Sequence, residues 1–348
     1  LLTLFCRERS RGVSPVISTV LLVAIVAILG SVIFVFVLSL AGSVTQTAPT
    51  ASFETNSSAA GVTLIHMSGD ELSASKLTLV TDEKRVDVSA LVSQDTIQAG
   101  DTIGPINPGE SADIKLVWES EGASNVIHSA TRYDGGIFLP DPIGHWRLDD
   151  IEDGTAEDSS RNSFDGTVKG SLTAAPGKLG QAAEFDGSSG QIIKIGDNKQ
   201  FEETSFSISA WIYRSGGTNA NIVSKWRDDY TFEINKSGEL RAAIDDNDPG
   251  GAKILDSDKK LPTGEWRHVA FTYNSSANEI RTYIDGTETA SSPLSTTTIQ
   301  TGSAKLAIGA QTSPNKDSKV FNGRIDDVRF YKQALSAKQI DVLYDATK

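Results

Sequence analysis

The sequence is poor in the residues that build cross-links and soft metal sites. Its 348 residues include one cysteine, one methionine and four histidines. A single cysteine excludes a disulfide framework within the chain and any zinc or iron–sulfur site built from cysteines. No serine or cysteine nucleophile motif, phosphate-binding loop or histidine-rich cluster occurs either. The sequence therefore offers no catalytic residues of these kinds.

Basic side chains are also scarce. The chain carries 45 acidic against 32 basic residues, for a formal net charge of -13. The acidic excess holds in both large segments, with 13 against 5 in residues 45–136 and 31 against 24 in residues 137–348. Because an acidic surface repels phosphate groups, we expect no nucleic-acid partner.

Charge of either sign is absent from residues 12–53, and the part from Val20 to Leu40 is almost wholly apolar. Its 21 residues would form a helix about 31 Å long, the thickness of a bilayer core. All nearby arginines precede this run, so the positive-inside rule leaves residues 1–11 in the cytoplasm and exports the rest of the chain. The sequence thus predicts a membrane-inserted precursor whose bulk is extracellular, at the cell surface.

Three fates remain open for this apolar segment. A cleaved secretory signal has a shorter apolar core, although the small residues 41–43 keep this alternative open. A permanent membrane anchor is the second. The third follows from the run Arg11-Gly-Val-Ser-Pro-Val-Ile17, which resembles the start of archaeal type IV pilin precursors. Ile17 stands where bacterial pilins usually carry a glutamate, and this departure favours the archaeal branch.

The pilin resemblance implies a processing route. A prepilin peptidase would remove the basic leader, residues 1–12, by cutting between Gly12 and Val13. The hydrophobic helix, residues 13–43, would pass from the membrane into a filament core, where subunits self-associate. One helix suits both places because both are dry and demand that backbone groups be satisfied internally. A pilus assembly platform would be a second partner.

Short apolar alternations separated by turn clusters indicate a small antiparallel β-sandwich over residues 44–134. The alternations are residues 62–66, 76–80, 86–88 and 113–118. The amino-acid sequence of this segment also resembles the globular part of haloarchaeal pilins. Residues 135–142, rich in glycine and proline, are predicted to form a linker.

Residues 143–348 supply strand after strand, and we expect one large jelly roll closed by a short helix that begins at Ser336. The motifs His145-Trp-Arg-Leu-Asp149, Gly264-Glu-Trp-Arg-His-Val-Ala-Phe-Thr-Tyr273 and Phe321-Asn-Gly-Arg-Ile-Asp-Asp-Val-Arg-Phe-Tyr331 resemble the laminin-G-like jelly roll of the concanavalin A superfamily. The predicted fold class is therefore mainly β: an N-terminal hydrophobic helix, a small β-sandwich and a concanavalin A-like jelly roll. The resemblance implies binding of a glycan or a surface protein.

A candidate ligand site lies in the run from Ser224 to Tyr230, where an indole stands among charges. Trp226 would stack on a sugar face while Arg227 and Tyr230 bind hydroxyl groups. Surface tryptophans also simply cover sheet edges. The loops 245–251 and 311–317 would rim such a site, whereas Trp211 and Trp266, which lie within apolar strands, are predicted to be core residues.

The resemblance also implies one structural calcium ion. Asp326 matches the family's Asp-x-Val-Arg-x-Tyr position and is the first candidate ligand, with Asp149 and Asp186 as weaker partners. Calcium takes 6 to 8 oxygen ligands, which carboxylates and backbone carbonyls supply. The alternative is that these acids face solvent or cap turns.

Two further features bear on surface chemistry. The sequence has Asn-x-Ser/Thr sequons at Asn56, Asn235 and Asn274, which are candidate glycosylation sites in exported segments. The Glu-x-Asp-x-x-Glu pattern of jelly-roll glycanases is absent, so paired carboxylates for glycoside hydrolysis are missing from the sequence.

The sequence thus predicts a non-enzymatic surface filament subunit that displays a laminin-G-like jelly roll for adhesion. A monomeric membrane-anchored lectin is the alternative, and a jelly-roll glycanase is a third, disfavoured reading.

Overall fold

The computed structural model describes residues 47–348 apart from short gaps. The gaps are residues 59–60, 82–83, 107–112, 121–122, 134–135, 197, 203–204, 226–228, 246–251, 295–298, 300–301, 303 and 313–317. The predicted leader and helix, with the processing residues Gly12 and Val13, lie outside the described residues. Within the described part, no helix is both long and apolar enough for a bilayer span. Residues 48–348 form one compact unit.

The first part of this unit is a small sandwich with its own core. Its strands are β1 (Ala51–Ser58), β2 (Gly61–Gly69), β3 (Leu72–Ser73), β4 (Leu77–Thr81), β5 (Arg85–Asp87), β6 (Thr96–Ile97), β7 (Thr102–Ile106), β8 (Asp113–Ser120), β9 (Ala123–Tyr133) and β10 (Ile137–Pro140). Over the described residues they form sheets in the orders β1-β2-β7 and β10-β9-β8-β4-β5, with β3 paired to β6. Alternate residues such as Leu64, Leu79 and Leu116 are fully buried between the sheets. The predicted alternations fall on strands here, because period-2 patterning turns every second side chain inward.

The structure corrects the prediction that residues 135–142 form a linker. This segment contains β10, which pairs antiparallel with β9 and extends the sheet of the small sandwich. Successive side chains of a strand point to opposite faces, and β10 uses both. Phe138 packs into the core of the small sandwich, whereas Leu139 packs against the jelly roll beside Tyr331 and Leu335. Two apolar cores therefore share this strand, which the glycine- and proline-rich sequence around it obscured.

The second part is the predicted jelly roll. Its strands are β11 (Gly144–Trp146), β12 (Thr155–Ala156), β13 (Gly166–Lys169), β14 (Thr173–Pro176), β15 (Gln181–Asp186), β16 (Ile192–Gly196), β17 (Ser205–Arg214), β18 (Ala220–Lys225), β19 (Tyr230–Ile234), β20 (Glu239–Ile244), β21 (Lys253–Lys260), β22 (Trp266–Asn274), β23 (Glu279–Ile284), β24 (Thr287–Pro293), β25 (Leu306–Ile308) and β26 (Asn322–Tyr331). Over the described residues, the front sheet has the order β14-β15-β26-β17-β22-β23-β24 with β11 beside β26, and the back sheet has the order β12-β13-β16-β25-β18-β19-β20-β21.

The core between the front and back sheets is strongly aromatic. Phe206 contacts the rings of Tyr230, Phe271 and Phe330 at centroid distances of 4.5, 5.4 and 5.4 Å. Such ring pairs add to the apolar area that they bury. The core fixes both sheets and therefore the positions of the loops that join their strands.

Helix α1 (Ala337–Thr347) covers the outer face of the front sheet. It starts as the sequence predicted, at Ser336: the Ser336 hydroxyl accepts from the Gln339 backbone N–H, and the Gln339 side chain accepts from the Ser336 N–H. This capping box satisfies two backbone donors that helix ends leave free. On the sheet below, the Trp211 indole is buried and donates to Thr347 Oγ1 at 3.0 Å.

Hydrogen bonds join the small sandwich to the jelly roll. The buried amide of Gln339 donates to the carbonyls of Thr55 and Phe138 at 3.3 and 2.9 Å. The Thr55 N–H donates to Gln333 Oε1 at 3.1 Å, and the Ser52 hydroxyl donates to the Lys332 carbonyl at 2.9 Å. Together with the apolar contact of Leu139, these bonds fix the two parts to each other.

Candidate functional site

A buried ion cluster stands at the end of the jelly roll that carries the predicted ligand loop. Lys225 ends β18 and Asp229 precedes β19, and both side chains are fully buried. The Lys225 Nζ lies 2.6 Å from Asp229 Oδ2 and 3.1 Å from Glu202 Oε1. A buried charge is tolerated only when it is paired and hydrogen-bonded, and this cluster meets that condition.

The cluster also collects the ends of neighbouring loops. Lys225 Nζ donates to the Gly302 carbonyl at 3.1 Å, and the Gly302 N–H donates to Asp229 Oδ1 at 3.0 Å. The Asp245 N–H donates to the Asp229 carbonyl at 2.9 Å. Segments that flank residues 203–204, 226–228, 246–251 and 300–303 therefore meet around one ion pair.

Burial and pairing shift the pKa values of this cluster. Burial raises the pKa of Asp229 to about 6, against the opposing effect of the bond from Lys225. Burial lowers the pKa of Lys225, but the hydrogen bonds and charges of Asp229 and Glu202 outweigh it and leave that pKa raised. The lysine thus stays charged and holds the loop ends together at neutral pH.

Of the three predicted ligand residues, the structure describes only Tyr230. Trp226 and Arg227 lie within residues 226–228, outside the described residues, so their role stays a prediction. The structure corrects the prediction that Tyr230 binds a ligand. Tyr230 is fully buried, its ring packs against Phe206, and its hydroxyl donates to the Phe201 carbonyl at 3.2 Å. A tyrosine at the start of a strand looks exposed in sequence, but the first inward position of β19 places this ring in the core.

Of the predicted rim loops, the one at residues 245–251 begins beside the ion cluster. The one at residues 311–317 starts from a bridge between Gln311 and Ser318. Just beyond it, Lys319 Nζ lies 2.7 Å from Glu233 Oε2, on β19. The described ends of both loops therefore attach to the back sheet.

Two of the predicted calcium ligands lie against one tight turn, residues 177–180. Asp326 is fully buried, and its Oδ2 accepts from the N–H groups of Lys178 and Leu179 at 2.7 and 2.8 Å. Asp149 Oδ1 accepts from the Gln181 N–H at 2.8 Å. A Cβ at Gly180, which has φ +75°, would collide with that Asp149 oxygen, so glycine is required there.

Whether a cation fits this turn depends on the free oxygen of Asp326. Its buried Oδ1 has no hydrogen-bond partner among the described residues. Burial raises the pKa of Asp326 to about 7, and the charges of Asp327 and Asp149 add to the effect. The buried Asp326 oxygen is of the type that hard cations take as a ligand, whereas Asp149 is already paired, since its Oδ2 accepts from the Arg147 guanidinium at 3.0 Å. The described residues contain no group of three or more acidic, histidine or cysteine side chains that would hold a metal by themselves.

Asp186 does not belong to this turn. It lies opposite Asn322, four residues along β26 from Asp326, or about 13 Å away. It is exposed, and its Oδ1 accepts from the Ser188 N–H at 2.7 Å. The predicted ligand Asp186 is thus a turn-capping residue, because the Asp-Gly turn that it precedes uses its carboxylate locally.

The three sequons differ in access. Asn56 is exposed on β1, and Asn274 is half-buried at the end of β22. The structure corrects the prediction that Asn235 is a glycosylation site, since only 3% of this residue is exposed and its amide donates to Glu239 Oε2 at 2.8 Å. A glycan on that nitrogen would break the turn that Asn235 organises.

The sequence did not predict a surface pair of aromatic rings on the front sheet. Trp266, predicted to be a core residue, is half-buried and lies 5.7 Å from the ring of Tyr213. The Arg324 guanidinium lies over both rings, at 4.1 Å from Tyr213 and 5.5 Å from Trp266. The prediction for Trp266 is therefore wrong: its apolar strand suggested burial, but a strand pattern does not show how far each face of the sheet is covered.

Family comparisons confirm the two predicted resemblances and their order. Residues 11–53 match the N-terminal model of archaeal type IV pilins, and residues 186–341 match a model of the concanavalin A-like lectin/glucanases superfamily. No curated protein matches the chain.

Several solved structures are similar to about 60% of this chain. The binding domain of Paraclostridial mosquitocidal protein 1 shares 17% identity at a TM-score of 0.48, with 59% of this chain and 52% of that chain covered. Domain 4 of AbnA, an extracellular arabinanase from Geobacillus stearothermophilus solved with arabinotriose, shares 23% identity at a TM-score of 0.46, with 59% and 98% covered. The binding domain of botulinum neurotoxin serotype C1 shares 17% identity at a TM-score of 0.46, with 60% and 52% covered. This chain spans about half the length of the first of these structures. It thus joins a segment similar to archaeal pilins to one similar to concanavalin A-like lectins and glucanases.

Proposed function

We propose that this chain is a non-enzymatic subunit of a type IV pilus-like surface filament and displays its jelly roll for adhesion. The order of the two family matches supports this function, because a pilin N-terminus leads the chain and a lectin-like module follows. The precursor would lie in the membrane with its N-terminus in the cytoplasm. A prepilin peptidase would then cut between Gly12 and Val13, and an assembly platform would feed the helix into a filament.

The observation that carries this proposal is the firm attachment of the jelly roll to the small sandwich. A module that holds a ligand under tension must pass that force to the filament through structure. Strand β10 contributes Phe138 to one core and Leu139 to the other contact, and Gln339 bonds across the joint. This arrangement transmits force better than the linker that the sequence predicted.

The ligand that we propose is a glycan or a surface protein. Many weakly binding subunits on one filament would bind a surface far more tightly than a single copy does. The loop end around Lys225 and Asp229 is where residues 226–228 would present Trp226 and Arg227. One calcium ion, held by Asp326 and Asp149, would stiffen the turn at residues 177–180 on the front sheet.

The test is the N-terminal sequence of the chain in sheared surface material, compared with the membrane fraction. A start at Val13 in the sheared fraction is the expected result. An uncut leader confined to membranes would overturn the filament and favour a monomeric membrane-anchored lectin. Turnover of a polysaccharide by the purified chain would instead favour a glycanase.

Adhesion needs a separate measurement. Cells that lack the chain should attach less to a glycan-coated or host-cell surface than cells that carry it. A chain truncated after residue 142 is the wrong control, because it would also lose helix α1 and its bonds to Thr55 and Phe138. Surface-charge substitutions that leave the joint intact are the better comparison.

A further inference from the structure

The buried ion cluster brings together the groups that form an amide bond. The Lys225 Nζ is a nitrogen nucleophile once it has lost a proton, and the Asp229 carboxyl is an acyl group that it can attack. Nζ lies 2.6 Å from Asp229 Oδ2, and neither side chain has exposed surface. Because Lys225 ends β18 and Asp229 precedes β19, the paired strands hold the two groups together and remove much of the entropic cost of their meeting.

Each carboxylate oxygen of Asp229 has a hydrogen-bond donor beside it. Oδ2 accepts from Lys225, whereas Oδ1 accepts from the Gly302 N–H at 3.0 Å. A backbone N–H in that position stabilises the negative charge that develops on an oxygen when a nucleophile adds to the carboxyl carbon. Oδ1 is thus placed to carry that charge, and Oδ2 is placed to leave with protons from the amine.

A second carboxylate also contacts the amine. Glu202 Oε1 lies 3.1 Å from Lys225 Nζ, and the glutamate side chain is 16% exposed. A general base must lie within about 3.2 Å of the atom whose proton it takes, and Glu202 meets this condition. Glu202 can therefore take a proton from the attacking amine and release it to the departing water.

Burial controls which form of the pair is present. Charges are costly in a low-dielectric interior, and burial raises the pKa of Asp229 to about 6. Burial also lowers the pKa of Lys225, but the hydrogen bonds and charges of Asp229 and Glu202 leave that pKa raised, so the neutral amine is a minor form and the reaction is slow. Phe201 and Tyr230, next in sequence to the two carboxylates, are fully buried. Released water therefore leaves a dry site, which opposes hydrolysis of the product.

We propose that Lys225 and Asp229 join in an intramolecular isopeptide bond after the chain has folded. The lone pair of Nζ adds to Cγ of Asp229, a C–N bond forms, and the C–Oδ2 bond breaks. Oδ2 leaves with two of the nitrogen protons, so one ammonium and one carboxylate give one amide and one water molecule. No oxidant, cofactor or other reactant takes part. A chain that has not reacted keeps the ion pair.

The bond would close a covalent ring across residues 226–228, which include Trp226 and Arg227. The two ends of this loop could then no longer separate, whatever force acts on the jelly roll. This modification is distinct from the proposed adhesive function, and it depends only on the folded cluster, whether or not the chain enters a filament.

The test is peptide mass spectrometry of the full chain, purified in detergent, refolded, and sampled over several days by denaturation and digestion with trypsin. Trypsin cuts after unmodified lysine and arginine, so an unreacted chain gives one peptide that ends at Lys225 and another of residues 228–236. The isopeptide bond blocks the cut after Lys225. Residues 215–227 then stay joined to residues 228–236, and the product is lighter by one water than the two peptides together.

Two controls separate the cross-link from other events. A succinimide at Asp229 also lacks one water, but it leaves the cut after Lys225 intact and the peptides separate. Lys319 is an internal control, because its Nζ lies 2.7 Å from Glu233 Oε2 while its side chain is 30% exposed. Water competes at that pair, so Lys319 should stay unlinked and trypsin should cut after it.

We expect the joined peptide to accumulate in the wild-type chain. Glu202→Gln should slow its formation by about 100-fold, because the proton acceptor is lost, and Glu233→Gln should leave the rate unchanged. Complete cleavage after Lys225 in the wild-type chain at every time would overturn the proposal, and so would loss of water without joined peptides. Equal rates in Glu202→Gln and wild type would overturn the role of Glu202. The wild-type result alone decides whether the bond forms, so a variant that fails to fold does not obscure it.

Discussion

The small sandwich and the jelly roll bury different things. The core of the small sandwich is mainly aliphatic, around Leu64, Leu79 and Leu116. The jelly roll encloses a cluster of interlocking rings and also tolerates buried ions at its loop end, where Lys225 meets Asp229. The buried charges of this comparison therefore lie in the jelly roll. The small sandwich has a mainly apolar core, whereas the jelly roll uses a buried ion pair to hold its loop ends in place.

The two parts also differ in how much they depend on each other. The jelly roll closes its own core between its front and back sheets. The small sandwich instead takes hydrogen bonds for the carbonyls of Thr55 and Phe138 from Gln339, on the C-terminal helix. The end of the chain therefore stabilises its beginning. We expect the jelly roll to tolerate loss of its partner better than the small sandwich does.

The largest expected effect concerns the buried ions. Lys225→Met should lower the free energy of unfolding by about 3 to 5 kcal/mol at pH 8, because it leaves the Asp229 carboxylate buried without its cation. Urea unfolding followed by circular dichroism measures this. Lys115→Met, at a half-buried strand position of the small sandwich, should change stability by less than about 0.5 kcal/mol.

The double variant Lys225→Met/Asp229→Leu is the matched control for that prediction. It removes both charges and should recover most of the loss, since an apolar pair can replace a buried ion pair at little cost. A single variant as stable as wild type would show that Asp229 carries no buried charge. The contrast drawn between the two parts would then fail.

The next effect is acid sensitivity, to which one histidine of lowered pKa contributes in each part. Burial lowers the pKa of His128 to about 4 and that of His268 to about 3, below the unfolded value of about 6.5. The unfolded chain therefore binds more protons below pH 6.5, and stability is lost as the pH falls through that range. Each histidine should account for about 2 kcal/mol of loss at pH 5.

His128→Gln and His268→Gln test this separately. Each variant should show a stability difference between pH 8 and pH 5 that is smaller than that of wild type by about 2 kcal/mol. Comparison at each pH cancels the opposite contribution of Asp229, whose raised pKa favours folding at low pH. An unchanged pH dependence in either variant would mean that its histidine is not held neutral by burial.

The joint itself should give an intermediate effect. Gln339→Leu should cost about 1 to 3 kcal/mol, because the carbonyls of Thr55 and Phe138 lose a buried donor. Ser336→Ala removes only the helix cap and should cost about 1 kcal/mol. Calorimetry should show one melting transition for wild type and Ser336→Ala, but two for Gln339→Leu. A single transition in all three would indicate that the apolar contact of Leu139 suffices for the coupling.

The smallest expected effect is that of calcium. With free calcium ten times above its dissociation constant, the folded chain should gain about 1.4 kcal/mol relative to the chain in EDTA. Asp326→Asn should abolish this gain without lowering stability in EDTA, because it removes a buried charge that two N–H groups only partly compensate. Asp186→Asn is the control and should leave the gain intact. Equal melting of wild type with calcium and with EDTA would remove calcium from the proposal.

Much of the fold could be predicted from the sequence, and less of the site. Strand alternation located β2, β4 and β8, and Ser336 marked the start of the last helix, because both signals are local. Asp326 was found through its family motif, and the structure places it beside Asp149 at one turn. The wrong assignments of Tyr230, Asn235 and Asp186 concern exposure and neighbourhood, which no local pattern encodes.

The sequence by itself determined the order of the parts, the apolar N-terminal segment and the mainly β character of the rest. Those properties follow from periodicity, composition and turn chemistry within a few residues of each position. Only the tertiary structure decided that β10 is shared between two cores, that Lys225 gathers the loop ends, and that Asp326 and Asp149 lie against one turn. These are contacts between residues far apart in the chain, and packing rather than local pattern brings them together.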